Sequence, residues 1–91
     1  MLKPIGYGHY TESTKVLNVL DPESSPVKKL RHRAAEEGFL IDCTSGHKTR
    51  SIIVQLSGSD RYPMILVLCA VQTDTIAVRL NRGSNIEGKK D

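Results

Sequence analysis

Two short stretches of the chain gather side chains able to hold an anion. Lys28-Lys29-Leu30-Arg31-His32-Arg33 puts four Lys or Arg residues in six positions, and Gly46-His47-Lys48-Thr49-Arg50 sets His47, Lys48 and Arg50 beside a glycine. On a helix, Lys28 and Arg31 would share one side, while Lys29 and Arg33 would stack like charges at i, i+4. A solvated helix face accounts for that stretch about as well as a binding surface does. The second cluster falls at the tip between two predicted strands, a geometry that carries cations to phosphates or to a groove edge. Exposed turns are often basic without binding anything, so neither cluster is specific alone. Taken with a net charge of +3 and a pI near 9.0, they favour a polyanionic partner.

Other chemistries fit less well. Gly46-His47-Lys48-Thr49 lacks the G-x-x-x-x-G-K-[ST] spacing with which a phosphate loop wraps a nucleotide. Cys43 and His47, with Cys69 or His32, offer neither a C-x-x-C nor an H-x-x-x-H pair for a metal, and nothing marks Cys43 as an activated thiol. Glu36 and Glu37 are neighbours on a helix and point about 100° apart, which is wrong for a carboxylate pair.

The elements that would position the basic residues read as follows. Lys15–Leu20 suits a strand, and Asp21-Pro22-Glu23-Ser24-Ser25-Pro26 ends it and opens a helix with Ser25 as cap. That helix runs from Pro26 to about Glu37, with Val27, Leu30 and Ala34 on one face and Gly38 as a left-handed stop. Phe39–Asp42 is a strand, Thr44-Ser45-Gly46 a turn, and Thr49–Leu56 a strand with Ile52 and Val54 opposite Ile53. Met64–Val71 is the most apolar strand and belongs at the centre of the sheet, and Thr73 caps a last helix bearing Ile76, Ala77 and Leu80. The order ββ-α-βββ-α implies a small α+β fold with a mostly antiparallel sheet, one central helix and a short C-terminal helix. Residues 1–82 form a single domain in this reading, and 83–91 a flexible polar tail.

Composition narrows the function classes. The 91 residues include only four aromatics, Tyr7, Tyr10, Phe39 and Tyr62, too few for a base-stacking platform on single-stranded nucleic acid. The longest apolar run is far short of the ~20 residues that span a bilayer, and the N-terminus shows no secretory apolar region. Two cysteines make no disulfide framework, and a cytoplasmic location is expected.

Three segments carry a resemblance across nearly the whole ordered chain. Gly6-Tyr7-Gly8, then Asp21-Pro22-Glu23-Ser24-Ser25-Pro26-Val27-Lys28-Lys29, then Gly38-Phe39-Leu40-Ile41-Asp42-Cys43-Thr44-Ser45-Gly46-His47-Lys48-Thr49-Arg50 occur in the order seen in RemA-like bacterial regulators of biofilm matrix. Val71-Gln72-Thr73-Asp74-Thr75-Ile76-Ala77-Val78-Arg79-Leu80 matches that family's last motif. The resemblance implies a non-enzymatic transcriptional regulator without cofactor, membrane association or small-molecule substrate. It further implies a ring-shaped homo-oligomer, an octamer, that binds double-stranded DNA along its basic flank through phosphates and DNA shape. Carried over residue by residue, the DNA-contacting positions are Lys15, His47, Lys48 and Arg50. At the first three the family's arginines are replaced, so charge is partly kept while the planar guanidinium fork is lost. That replacement leaves open a ring-forming protein-interaction scaffold that no longer binds DNA. The segment from Ser57 to Met64 is longer than the family's usual turn.

Overall fold

A computed structural model describes residues 1–80, so the tail expected at 83–91 lies outside the described residues. The order is β1 (Leu2–Gly6), β2 (His9–Glu12), a 3₁₀ turn (Ser13–Lys15), β3 (Val16–Leu20), α1 (Ser25–Glu37), β4 (Leu40–Asp42), β5 (Ser51–Leu56), β6 (Met64–Cys69) and α2 (Thr73–Arg79). The strands make an antiparallel β1–β2 hairpin and a separate four-stranded sheet ordered β3-β5-β6-β4. Within the sheet, β5 runs antiparallel to β3 and β6, while β4 is parallel to β6. The sheet is therefore mixed. Its parallel pair arises because α1 carries the chain from the β3 edge to the opposite edge, so that β4 starts from the same end as β3.

The helix expected over Pro26–Glu37 is present, one residue longer at its start. Ser24, rather than Ser25, is the cap: its Oγ accepts the Val27 amide at 3.4 Å, and its carbonyl accepts the Lys28 amide. Gly38 closes the helix at φ 90°, where its amide donates to the Ala34 carbonyl. At α2 the cap is Gln72, and Thr73 turns its hydroxyl to the Arg50 carbonyl instead. The N-terminal region forms a full hairpin ahead of β3, one strand more than the sequence pattern indicates.

Both faces of the sheet are covered, which explains the unbroken apolar run in β6. Ile52, Leu66 and Leu68 pack with Ala34 beneath α1. Ile53, Val67 and Cys69 face the other way, against Ile5 of the hairpin, Ile76 of α2 and Leu80 just after it. The expected split of Ile52 and Val54 from Ile53 is the split observed. The hairpin is also tied laterally, since Thr11 Oγ1 donates to Gln55 Oε1 at 2.5 Å. The long 57–63 segment folds back on α1: Tyr62 donates its hydroxyl to the Glu37 carbonyl at 2.5 Å and stacks obliquely on Phe39. It braces the helix C-terminus at the end of the sheet away from the basic loop.

Candidate nucleic-acid interface

Strands β3, β4 and β6 all finish at one end of the sheet, where β5 begins. The β4–β5 connection must therefore arch over the end of β6. It is pinned on both sides, by Cys43 N–H to the Leu68 carbonyl at 2.9 Å and Arg50 N–H to the Cys69 carbonyl at 2.8 Å. The arch begins with Asp42, whose Oδ1 accepts the Thr44 amide at 2.8 Å and the Thr44 hydroxyl at 2.6 Å. Ser45 and Gly46 follow at φ 52° and 83°, and the His47 amide closes onto the Thr44 carbonyl at 3.0 Å. Positive φ at both central positions is the type I′ pattern, a tight turn that thrusts the next residues outward. Strand β5 starts only at Ser51, so His47, Lys48 and Arg50 all stand exposed on this loop.

The hairpin tip reaches the same place. Tyr7 stacks on His47 with ring centroids 4.2 Å apart and planes 15° from parallel. Gly6 is needed for that approach, because a Cβ there would lie 2.9 Å from Val71 Cγ2 and its φ of 104° suits glycine alone. On the far side, Ser51 Oγ donates to the Val71 carbonyl at 2.7 Å and Thr73 Oγ1 to the Arg50 carbonyl at 3.3 Å, so the start of α2 buttresses the loop.

Lys48 borders two open clefts. One, of about 520 Å³, lies toward α2 and is bordered by Arg50, Thr73, Asp74 and Asp21. The other, of about 510 Å³, lies toward α1 and is bordered by Lys28, Arg31, His47, Asp42 and Glu23. Three of the four expected contact residues thus converge. Lys15 does not join them: it ends the 3₁₀ turn before β3, at the Gln55 end of that strand, whereas the loop joins β5 at Ser51. Five strand residues separate the two by roughly 17 Å at ~3.3 Å each.

The helix cluster divides by face. His32 and Arg33 pair with Glu36 and Glu37 one turn on, at 3.3 and 3.2 Å, away from the loop. Lys28 and Arg31 line the cleft instead, so helix and loop form one basic surface. Lys28 and Arg31 are the members of the helix cluster that the fold brings to the loop, while Tyr7 and the Asp42–Thr44 anchor are the residues to which sequence reasoning gave no role in the site. The D-x-T-x-G spacing of the anchor was the one local signal available for them.

Electrostatics separates anchors from free cations. Asp42 is held below the usual carboxylate range, chiefly by the Thr44 hydroxyl, then by the Thr44 amide, with Arg31 and His9 adding smaller attractions. Burial pushes the Cys69 thiol up to about 12 and raises that of Cys43 as well. Both cysteines pack in the core beside Ile53 and Val67 as neutral groups, and the His47 ring is engaged with Tyr7 rather than with Cys43. Among the described residues, no three His, Cys, Asp or Glu side chains gather as a metal site, and no helix is long and apolar enough to cross a membrane.

Fold and loop together define a small α+β protein that presents an exposed basic loop, braced from three sides, at one end of a mixed sheet. The chain belongs to the RemA-like family: the model described as Extracellular matrix regulatory protein A-like matches residues 2–80. Relatives are named as regulators. A "Putative regulatory protein" of Nitratidesulfovibrio vulgaris (strain DP4) is 38% identical over 78 residues, covering 86% of this chain and 84% of the relative. One of the same name from Maridesulfovibrio salexigens is 43% identical over 75 residues, covering 82% and 80% respectively. Another, from Thermodesulfovibrio yellowstonii, is 39% identical over 87 residues and covers 96% of this chain and 95% of its own.

Proposed function

We propose that this protein is a cytoplasmic, non-enzymatic transcriptional regulator that binds double-stranded DNA through the basic end of its sheet. The supporting observation is the loop itself. A type I′ turn, fixed by Asp42 and Thr44 and pinned to β6, holds His47, Lys48 and Arg50 out in solvent. Cations on a stiff, exposed turn suit phosphates of the duplex backbone, which position a protein without reading bases. Lys15, roughly 17 Å away, would meet a phosphate about five base pairs distant at ~3.4 Å per step.

A homo-oligomeric ring, octameric in the family's pattern, is the proposed working form. Supporting it are large apolar side chains left half exposed or more: Leu2 at 64% and Tyr10 at 62% on the outer face of the hairpin, and Val78 at 67% on α2. Exposed apolar side chains of this size suit burial against a neighbouring subunit. A ring also repeats the +3 of each chain around one belt.

The scaffold reading, a ring without DNA binding, draws on Asp21, Glu23, Asp42 and Asp74 bordering the clefts. One experiment separates the two. Light scattering after size exclusion should give about 81 kDa, eight times 10.1 kDa. The same particle should shift a labelled promoter duplex at low salt, with affinity falling steeply as salt rises. Lys48→Ala combined with Arg50→Ala should weaken that shift. A ring that ignores duplex DNA at low salt is the scaffold, and a monomer removes the ring.

A further inference from the structure

The sequence offers no way to tell which of the helix cations face a ligand, but the fold does. Lys28 and Arg31 line the cleft whose other wall is His47 and Lys48. Lys29 and Arg33 occupy the neighbouring helix face, where Arg33 is already bonded to Glu37 at 3.2 Å. Two acids, Glu23 and Asp42, border the same cleft against the three permanent cations Lys28, Arg31 and Lys48. Glu23 meets Lys28 at 3.8 Å with both side chains more than 60% exposed, an arrangement of little energetic weight. Asp42 stays ionised with its Oδ1 turned to the Thr44 amide and hydroxyl, and its attraction to Arg31 is a minor one beside those bonds. Arg31 takes part in none of the ion pairs found among the described residues.

We propose that the cleft between α1 and the basic loop seats one backbone phosphate of the bound duplex, with Lys28 and Arg31 as its second wall. This rests on the DNA-binding reading and adds α1 to the interface. The phosphate enters between helix and loop and is held from both sides. That fixes the direction in which the duplex crosses the sheet end, which a single basic loop would leave free to swivel. The spread-fork geometry of Arg31 can take two phosphate oxygens at once, a capacity that the Lys and His residues of the loop lack.

The test compares two double variants of the full-length chain that remove equal charge from one helix. Fluorescence anisotropy with a labelled duplex of about 40 base pairs is titrated at several salt concentrations. One lost phosphate contact makes log K against log salt shallower by about 0.9 for each subunit touching the duplex, or roughly eightfold weaker binding at 0.1 M salt if the loss vanishes at 1 M. Lys28→Ala with Arg31→Ala should show both effects, and Lys29→Ala with Arg33→Ala should cost less than threefold. Circular dichroism and particle mass should match wild type in each, since alanine favours helix at exposed positions. Arg31→Lys should recover only part of the affinity. Equal losses from the two pairs would mean a general field rather than a seat and overturn the proposal. So would normal binding by the Lys28/Arg31 variant while Lys48→Ala with Arg50→Ala binds poorly, which would leave the DNA-binding reading itself intact. Failure of the wild-type chain to bind any duplex would defeat both.

Discussion

Replacing Asp42 tests how the basic loop is held. Asp42→Ala strips Thr44 of the acceptor that its amide and its hydroxyl share, at 2.8 and 2.6 Å. Thr44 is only 2% exposed, so water cannot readily substitute. A buried polar group left without a partner costs about 1–3 kcal/mol. The expected loss is about 2 kcal/mol, a fall in Tm of about 8–16 °C for a domain of this size. Asp42→Asn keeps an acceptor oxygen and should lose under about 1 kcal/mol. The pH dependence has a definite sign. The folded carboxyl titrates below its ordinary value of 3.8, through the Thr44 hydroxyl first and the Thr44 amide second. Its stabilisation is therefore complete above that value and disappears as pH falls through the lower folded one. The deficit of Asp42→Ala against wild type should stay level from pH 7 to about 4.5 and narrow on further acidification. Thermal melts followed by circular dichroism at fixed protein concentration measure it. A melting point within about two degrees of wild type at pH 7, or a deficit already narrowing between pH 7 and 5, would refute the anchor.

Two further substitutions probe the other supports of the loop. Gly6→Ala drives a Cβ to 2.9 Å from Val71 Cγ2 at a φ of 104°, so it should destabilise by about 1–3 kcal/mol, read as a lower Tm, whereas Gly8→Ala, with open space around it, should suffer only the backbone strain. Tyr7→Ala removes the ring stacked 4.2 Å from His47 and should weaken duplex binding by a few fold with little change in Tm, while Tyr7→Phe should bind like wild type; a large stability loss would instead make Tyr7 a core residue.

Much of the scaffold was legible because its signals are local. Pro26 near a helix start, Gly38 at its end and the Ile52–Ile53–Val54 alternation each act within a few residues. The hairpin was harder to read. Its strands carry Pro4, expose Leu2 and Tyr10, and bury Thr11 at 4%, so the pattern of apolar and polar residues runs against the usual alternation. The parallel placement of β4 is not encoded in its three residues at all; it follows from where α1 lands. The family resemblance groups Lys15 with the loop, and the strand register places the two at opposite ends of β3. Tyr7 and His47 lie forty positions apart, and only the packing of the hairpin tip against the exit of β6 brings the rings together.

The acids around the loop decide how much of its charge is available. Asp21 accepts the Glu23 amide at 2.9 Å, Asp42 is bonded to Thr44, and Asp74 accepts the Thr75 amide at 2.9 Å, so each serves a local turn or helix start. Negative charge is favoured at those helix starts in any case, and it would be placed there whether or not a ligand were present. His47, Lys48 and Arg50 enter none of the ion pairs among the described residues, and Lys28 enters only a loose one. These acids keep their negative charge, and the distinction is one of geometry: their bonded oxygens are turned to nearby amides, while His47, Lys48 and Arg50 stand exposed in solvent. The opposite arrangement, with Lys48 or Arg50 locked to Asp74 or Glu23, would have suited a scaffold. Exposed cations outside any ion pair suit contact with phosphates, and the salt dependence of duplex binding reads how many of them take part.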